Sequence, residues 1–143
     1  MDRLKPQAYL AVDCFGYRVD GKLWSFFSTI GYHLEKQKWG SVYPIIMLKL
    51  CDEGYVEPQD LPTLRRELTD IQKHFDSLIQ QDIVLDYDSL ESKLNFSKKE
   101  QKLPIMNYFV NERGRTIFDV FFKAIQDATE LESKITIKVF PGN

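Results

Sequence analysis

The sequence has little cysteine, little histidine and almost no excess of charge of either sign. Its two cysteines, Cys14 and Cys51, lie far apart and form no CxxC pair, which argues against a disulfide scaffold or a cysteine-rich zinc site. We interpret both as reduced thiols that act as small core hydrophobes. The 19 Lys and Arg residues against 21 Asp and Glu give a net charge of −2. That balance argues against a nucleic-acid binder, because such domains carry a strongly basic surface.

Long apolar runs are also missing. No stretch of 18 apolar residues occurs, and no apolar segment follows the first basic residues, so we expect neither a membrane partner nor classical secretion. A cytoplasmic protein is therefore predicted. The hydrophobic fraction of 43% excludes a disordered chain, and the length is that of one domain. We predict a single domain over residues 1–143.

Motifs that carry known chemistry are absent as well. The sequence contains no GxGxxG, GxxxxGK[ST] or GxSxG pattern, and its two histidines, His33 and His74, are not at metal-ligand spacing. Two acidic clusters, at 52–60 and 86–91, would need to converge in a cleft before they could act as a catalytic pair. The sequence therefore predicts no enzyme, no cofactor and no metal.

Apolar side chains at three- and four-residue intervals predict helices. The predicted helices are residues 23–34, residues 61–78 and a segment that begins after Thr116, with a shorter one over residues 42–50. Ser41 is expected to cap the short helix and Gly54 to end it. Thr116, three residues before Asp119, resembles a capping box.

Segments rich in β-formers predict strands at residues 8–15, 82–87 and 135–140. Residues 107–110 fit either a further strand or an irregular aromatic plug, and residues 88–104 read as an exposed loop. The order of elements predicts an α+β fold, in which a small, mostly antiparallel sheet of three to four strands is packed by helices as a two-layer sandwich.

Two arginines around Gly114 are left unexplained by this fold. Gly114 suits a tight turn before the helix that Thr116 caps, but a helix N-terminus does not favour cations. In one hypothesis Arg115 pairs with a carboxylate elsewhere in the fold, such as Asp86. In the other, Arg113 and Arg115 form a site for an anion or a partner.

Aromatic residues near element ends and the acidic clusters favour a binding surface, because aromatic side chains anchor interfaces and acids attract a basic partner. The candidate contact residues are Trp39, Tyr43, Asp52, Glu53, Asp86, Asp88, Arg113 and Arg115. The alternative is a small-ligand-binding or sensory domain without catalysis, in which the aromatic residues line a pocket.

Three short patterns resemble those of the bacterial immunity protein 70 family. They are Gly40-Ser41-x-Tyr43-Pro44-x-x-Met47, Glu67-Leu68-x-x-Ile71, and Tyr108-Phe109-Val110 followed by Gly114-Arg115 and Phe118, spanning roughly residues 39–125. The resemblance implies an immunity protein that neutralises a cognate secreted polymorphic toxin by direct stoichiometric binding. Nucleases are among the toxins of such systems, so it also implies that a nuclease is a candidate partner.

Overall fold

The computed structural model describes residues 8–139 and has an α+β architecture, as predicted. Its strands are β1 (Ala8–Val12), β2 (Phe15–Arg18), β3 (Tyr55–Val56) and β4 (Ile135–Val139). Its helices are α1 (Leu23–His33), a π-helix (Ile45–Glu53), α2 (Leu61–Phe75), α3 (Lys98–Gln101) and α4 (Ile117–Leu131). The strands form one antiparallel sheet in the order β2-β1-β4-β3.

Alternating side chains of the sheet build one wall of the core. In β1, Leu10 and Val12 are fully buried, and their register partners Ile137 and Ile135 in β4 are buried beside them. The intervening Thr136 and Lys138 face the other side of the sheet. The predicted strand at residues 135–140 is thus confirmed up to Val139, and Phe140 lies outside the described residues.

Phe26 on α1 lies at the centre of the core. Its ring is fully buried and lies within 6 Å of the ring centroids of four phenylalanines from other elements: Phe75 at 5.6 Å, Phe109 at 5.8 Å, Phe118 at 5.4 Å and Phe121 at 5.5 Å. Edge-to-face and tilted pairs of this kind are favourable beyond the area that they bury. One aromatic cluster thereby joins α1, α2, α4 and the segment before α4.

The predicted strand at residues 8–15 is two strands. Asp13 has a positive φ of 57°, and Asp13 and Cys14 form a two-residue turn between Val12 and Phe15. Asp tolerates this backbone region better than most residues, so the chain can reverse there. Cys14 is consequently exposed in the turn, whereas Cys51 is buried as expected.

The predicted strand at residues 82–87 is wrong. This segment runs alongside α1, and serine and threonine hydroxyls replace a strand partner: the Val84 N–H donates to Thr29 Oγ1 at 3.0 Å and the Tyr87 N–H to Ser28 Oγ at 3.0 Å. The short pattern of β-forming residues therefore correctly predicted that Val84 is buried. It did not correctly predict the partners of the backbone N–H groups.

The predicted helix at residues 42–50 is a π-helix that begins at Ile45, and Ser41 does not cap it. The Ser41 hydroxyl donates to the Glu35 carbonyl oxygen, while buried carboxylates accept the first backbone N–H groups. Glu35 accepts from Val42 and Tyr43, and Glu67 accepts from Ile45 and Ile46. At the other end Gly54 has a φ of 91° and ends the helix, as predicted.

Three other segments differ from the sequence-based expectation, and a fourth, residues 107–110, matches one of its two alternatives. The helix predicted at residues 61–78 ends at Phe75, and the expected loop at 88–104 contains α3, which Ser97 and Glu100 cap reciprocally. Residues 107–110 form the irregular aromatic plug, with Phe109 fully buried. The two-residue β3 was not predicted, because a pair of residues has no periodicity to detect.

Glu67 gives the fold a specific pH dependence. Burial raises the pKa of its carboxyl above the ordinary 4.5, the negative charge of Glu35 raises it further, and the N–H donors of Ile45 and Ile46 oppose the rise. The folded protein then holds the proton more tightly than the unfolded chain. This contribution to stability is present below the unfolded pKa and is lost as pH rises through the folded pKa.

We expect Glu67→Gln to reduce the loss of unfolding free energy as pH rises above 4.5, as measured by urea denaturation at each pH. Glu53→Gln, at an exposed position, is the matched control and should leave the pH profile unchanged. Parallel profiles for the wild type and Glu67→Gln would contradict the assignment.

Candidate functional site

An open groove of about 320 Å³ lies between β2, the segment before α4 and the first turns of α4. We call it the arginine groove, and define it by Gly16, Tyr17, Arg18, Asp20, Asn111, Glu112, Arg113, Arg115, Asp119, Val120 and Lys123. It contains both arginines that the sequence left unexplained.

Asn111 fixes the loop that carries these arginines. Its side-chain oxygen accepts from the backbone N–H of Arg113 at 2.9 Å and of Arg115 at 3.1 Å. Its own N–H donates to the Arg115 carbonyl oxygen at 2.9 Å, and Gly114 at φ 77° closes the turn. Asn and Gly are the residues that such a turn favours. The loop backbone is thus well held, while both arginine side chains are exposed.

Thr116 begins α4 as predicted. Its hydroxyl oxygen accepts from the Asp119 N–H at 3.1 Å. The Ile117 N–H donates to the Phe109 carbonyl oxygen at 2.9 Å, which fastens the helix start to the aromatic plug. The arginine loop therefore spans two anchored points, the plug and the capped helix.

Ion pairs neutralise two of the four cations in the groove. Arg18 pairs with Glu112 at 2.8 Å and Asp20 at 3.4 Å, and Lys123 pairs with Asp127 at 3.0 Å. Within residues 8–139, neither Arg113 nor Arg115 forms an ion pair. The two guanidinium groups therefore remain available to an external carboxylate or phosphate, which they can bind through two parallel N–H donors.

Tyr17 joins the β2 side of the groove to α4. Its hydroxyl donates to the Asp127 carboxylate, and this hydrogen bond, followed by the Lys123 ammonium, lowers the pKa of that carboxyl. Burial, reinforced by the same carboxylate, raises the pKa of the Tyr17 hydroxyl. Tyr17 therefore stays protonated and continues to hold the strand against the helix.

Arg115 does not pair with Asp86 as the first hypothesis expected. The Asp86 carboxylate accepts from the Trp24 indole N–H at 3.0 Å and from the Asp88 backbone N–H at 2.9 Å. The sequence offered no way to foresee this partner, because Trp24 and Asp86 are distant along the chain. Asp86 is half-buried, and Asp88 beside it is exposed.

Trp39 packs among aromatic side chains and is only partly exposed. Its ring lies 5.9 Å from Trp24 and 4.9 Å from Tyr87, measured between centroids. A Cβ at Gly31 would approach the ring to 2.6 Å, so any larger residue on the facing helix would displace the Trp39 ring. The Trp39 indole N–H is buried and has no hydrogen-bond partner within the described part of the chain.

Tyr43 is buried, with 3% of its surface exposed, and its hydroxyl donates to Asp70. Asp52 and Glu53 are exposed at the end of the π-helix. The eight candidate residues therefore fall on separate elements. Arg113 and Arg115 share one groove, Asp86 and Asp88 one bend, and Asp52 and Glu53 one helix end.

Sequence reasoning found Arg113 and Arg115 but missed the residues that position them. Asn111 had a usable signal, since an Asn two residues before an Arg-Gly pair favours a turn closed by its side chain. The Arg18–Glu112 pair had none, because it joins distant parts of the chain, whereas Asp20 pairs with Arg18 from only two residues away.

Most residues of the three short sequence patterns are structural. Tyr43, Met47, Glu67, Phe109 and Phe118 are all buried. Gly40, at φ 80°, is in a conformation that favours glycine, and a Cβ there would meet the Leu48 side chain at 2.5 Å. Ser41, Pro44, Gly114 and Arg115 are exposed, and of these Arg115 lines the arginine groove. The patterns therefore specify the fold and one edge of the arginine groove.

Neither a membrane helix nor a metal cluster is found in the range 8–139. None of the helices there is long and apolar enough to cross a bilayer. In the same range no three His, Cys, Asp or Glu side chains group as metal ligands would.

The structure is that of a small α+β protein. Its candidate site, the arginine groove, is an open surface with exposed charged side chains. The chain belongs to the immunity protein 70 family, whose sequence model matches residues 10–137 of its 143 residues. No curated protein and no solved structure matches it. The chain is thus an immunity protein of a polymorphic toxin system, and its family implies a toxin as its partner.

Proposed function

We propose that this immunity protein neutralises its cognate toxin by forming a stoichiometric complex with it, without catalysis. The observation that carries the proposal is the placement of unpaired charge. Arg113 and Arg115 are exposed on an open surface and do not converge with other groups on a reaction centre. Such a surface suits a macromolecular partner, whereas a small-ligand or sensory domain would need an enclosed, mostly apolar pocket.

Inhibition by binding requires only that the complex cover a surface the toxin uses. A standard interface buries about 800 Å² on each partner. The accessible surface of this protein is 8189 Å², so an interface of that size would take a modest share of it. The stiff aromatic core and the anchored arginine loop would present this surface with little loss of conformational freedom on binding.

We further propose that the toxin is a nuclease. A domain that cleaves DNA or RNA carries a basic surface for the phosphate backbone. Asp52, Glu53 and Asp88 are exposed acids that would complement such a surface. Opposite charges across an interface chiefly accelerate encounter and reject other partners.

Charge reversal of the acids tests the acidic contact on which this proposal rests. We expect the triple variant Asp52→Lys, Glu53→Lys, Asp88→Lys to slow association with the cognate toxin domain by about tenfold or more at low salt, and to flatten its salt dependence. Stopped-flow association over a salt series measures both quantities.

A matched triple variant, Asp76→Lys, Glu130→Lys, Glu132→Lys, makes the same change in net charge at other exposed positions. It should retain most of the association rate, and thermal unfolding of both variants checks that each is folded. Equal rates for the wild type and the first variant would refute the acidic contact. Failure of the wild type to bind or to protect cells that co-express the toxin domain would refute the proposed function.

A further inference from the structure

Strand β2 is an edge of the sheet. Within residues 8–139 it pairs only with β1, in the register Val12↔Phe15, Ala11↔Gly16, Leu10↔Tyr17 and Tyr9↔Arg18. In a two-residue hairpin the pair next to the turn exchanges backbone hydrogen bonds, and antiparallel pairs then alternate. The backbone groups of Phe15 and Tyr17 therefore point toward β1, and those of Gly16 and Arg18 point away from the sheet.

One side chain supports this orientation and covers part of the edge. The Asn111 side-chain amide donates to the Arg18 carbonyl oxygen at 3.5 Å, which requires that carbonyl to face outward. In the part of the chain that the structure describes, the Gly16 N–H and C=O and the Arg18 N–H have no comparable partner. Exposed edge groups of this kind are a template for another strand.

The charges beside this edge indicate what would pair with it. The same groove contains the Gly16 edge and the unpaired guanidinium groups of Arg113 and Arg115. Arg18 and Lys123 are already neutralised, so the free charge is chiefly that of these two arginines, opposed by Asp119. Phe15, with 53% of its surface exposed, adds an aromatic contact at the start of the strand.

We propose that an extended acidic segment of the toxin binds along β2 as an added strand, with its carboxylates on Arg113 and Arg115. Backbone hydrogen bonds to the edge would supply affinity, and the two arginines would supply direction and specificity. A second copy of this chain fits the site poorly, because pairing of two β2 edges would bring like charges together. This inference rests on the proposed function and assigns a surface to it.

Hydrogen exchange on the complex with the cognate toxin domain tests the edge directly. In the free protein, the amides of Phe15 and Tyr17 should be protected by β1, and those of Gly16 and Arg18 should exchange fast. In the complex, the Gly16 and Arg18 amides should slow by about tenfold or more, because an added strand accepts from them.

Charge reversal tests the arginines. We expect Arg113→Glu with Arg115→Glu to weaken toxin binding by about a hundredfold, because like charges would then face each other. Arg113→Lys with Arg115→Lys keeps the charge but cannot donate two parallel N–H bonds to one carboxylate. Its toxin binding should therefore weaken less, by about tenfold. The matched control, Lys73→Glu with Lys99→Glu, makes the same charge change at exposed positions on α2 and α3 and should bind as the wild type does.

The outcomes separate the two proposals. Protection of Gly16 and Arg18 together with the graded loss in the arginine variants supports the added strand. A tight wild-type complex in which these amides exchange as in the free protein, or in which the Arg→Glu pair binds normally, overturns the added strand and leaves the proposed function standing. A wild-type protein that does not bind the toxin domain overturns both.

Discussion

Replacing Phe26 with alanine is expected to lower the free energy of unfolding by about 3–5 kcal/mol. The ring is fully buried, and its neighbours belong to α2, α4 and the segment before α4 as well as to α1. These elements converge on one ring and cannot all move inward together, so a cavity should remain. Since small domains are stable by only 5–15 kcal/mol, the variant would be marginally folded.

Urea denaturation of Phe26→Ala, Phe26→Leu and Phe15→Ala measures the effect. Phe26→Leu keeps most of the volume and should cost about 1–2 kcal/mol, while Phe15→Ala, at a half-exposed position, should cost less than about 1 kcal/mol. An equal cost for Phe26→Ala and Phe15→Ala would show that the aromatic cluster is not the centre of the core.

The helices could be predicted because their apolar stripes are long. In α2, Leu61, Leu64, Leu68, Ile71 and Phe75 repeat over the whole helix, and all five are buried. A repeat of that length fits a helix and does not fit the two-residue period of a strand or the irregular pattern of a loop. The segment 82–87 is too short for such a test, and its backbone partners are hydroxyls on α1 that no local pattern reveals.

The candidate site could be predicted only where it is local. Arg113 and Arg115 lie in a turn made by neighbouring residues, so Gly114 indicated their placement. Among the charged residues around them, Arg18 is in β2 and Lys123 is in α4, and the Arg18–Glu112 pair follows from the packing of the strand beside the loop. Tyr43 shows the reverse case: its position near an element end predicted an interface contact, yet its ring is buried and its hydroxyl bonds to Asp70.

The core and the proposed binding edge are mechanically connected. Phe118 and Phe121 fix α4 against the ring of Phe26, and Tyr17 fixes β2 to α4 through Asp127. The arginine loop is held between the buried Phe109 and the Thr116 cap. The edge strand and the two guanidinium groups therefore stand on elements that share one core, which favours a site formed before the partner arrives.

Glu35→Ala is expected to destabilise the protein by on the order of 3 kcal/mol, because two backbone donors would lose their buried acceptor. The Glu35 side chain is fully buried and accepts from the Val42 N–H at 2.6 Å and the Tyr43 N–H at 3.2 Å. These N–H groups lie just before the π-helix and have no helical carbonyl in reach, since they precede its first turn. An alanine side chain would leave the Tyr43 donor unpaired in the core and the Val42 donor unpaired at a partly buried position.

The control for Glu35 separates hydrogen bonding from packing. Glu35→Gln keeps the shape of the side chain and one carbonyl oxygen. It should therefore lower the free energy of unfolding by only about half as much as Glu35→Ala does. Glu53→Ala removes an exposed acid and should change stability by less than about 0.5 kcal/mol. Amide exchange supplies the specific readout: Val42 and Tyr43 should exchange faster in Glu35→Ala than the global loss of stability explains, because their acceptor is gone even in the folded state. If these amides exchange no faster than the rest of the core, Glu35 contributes packing and not the start of the π-helix.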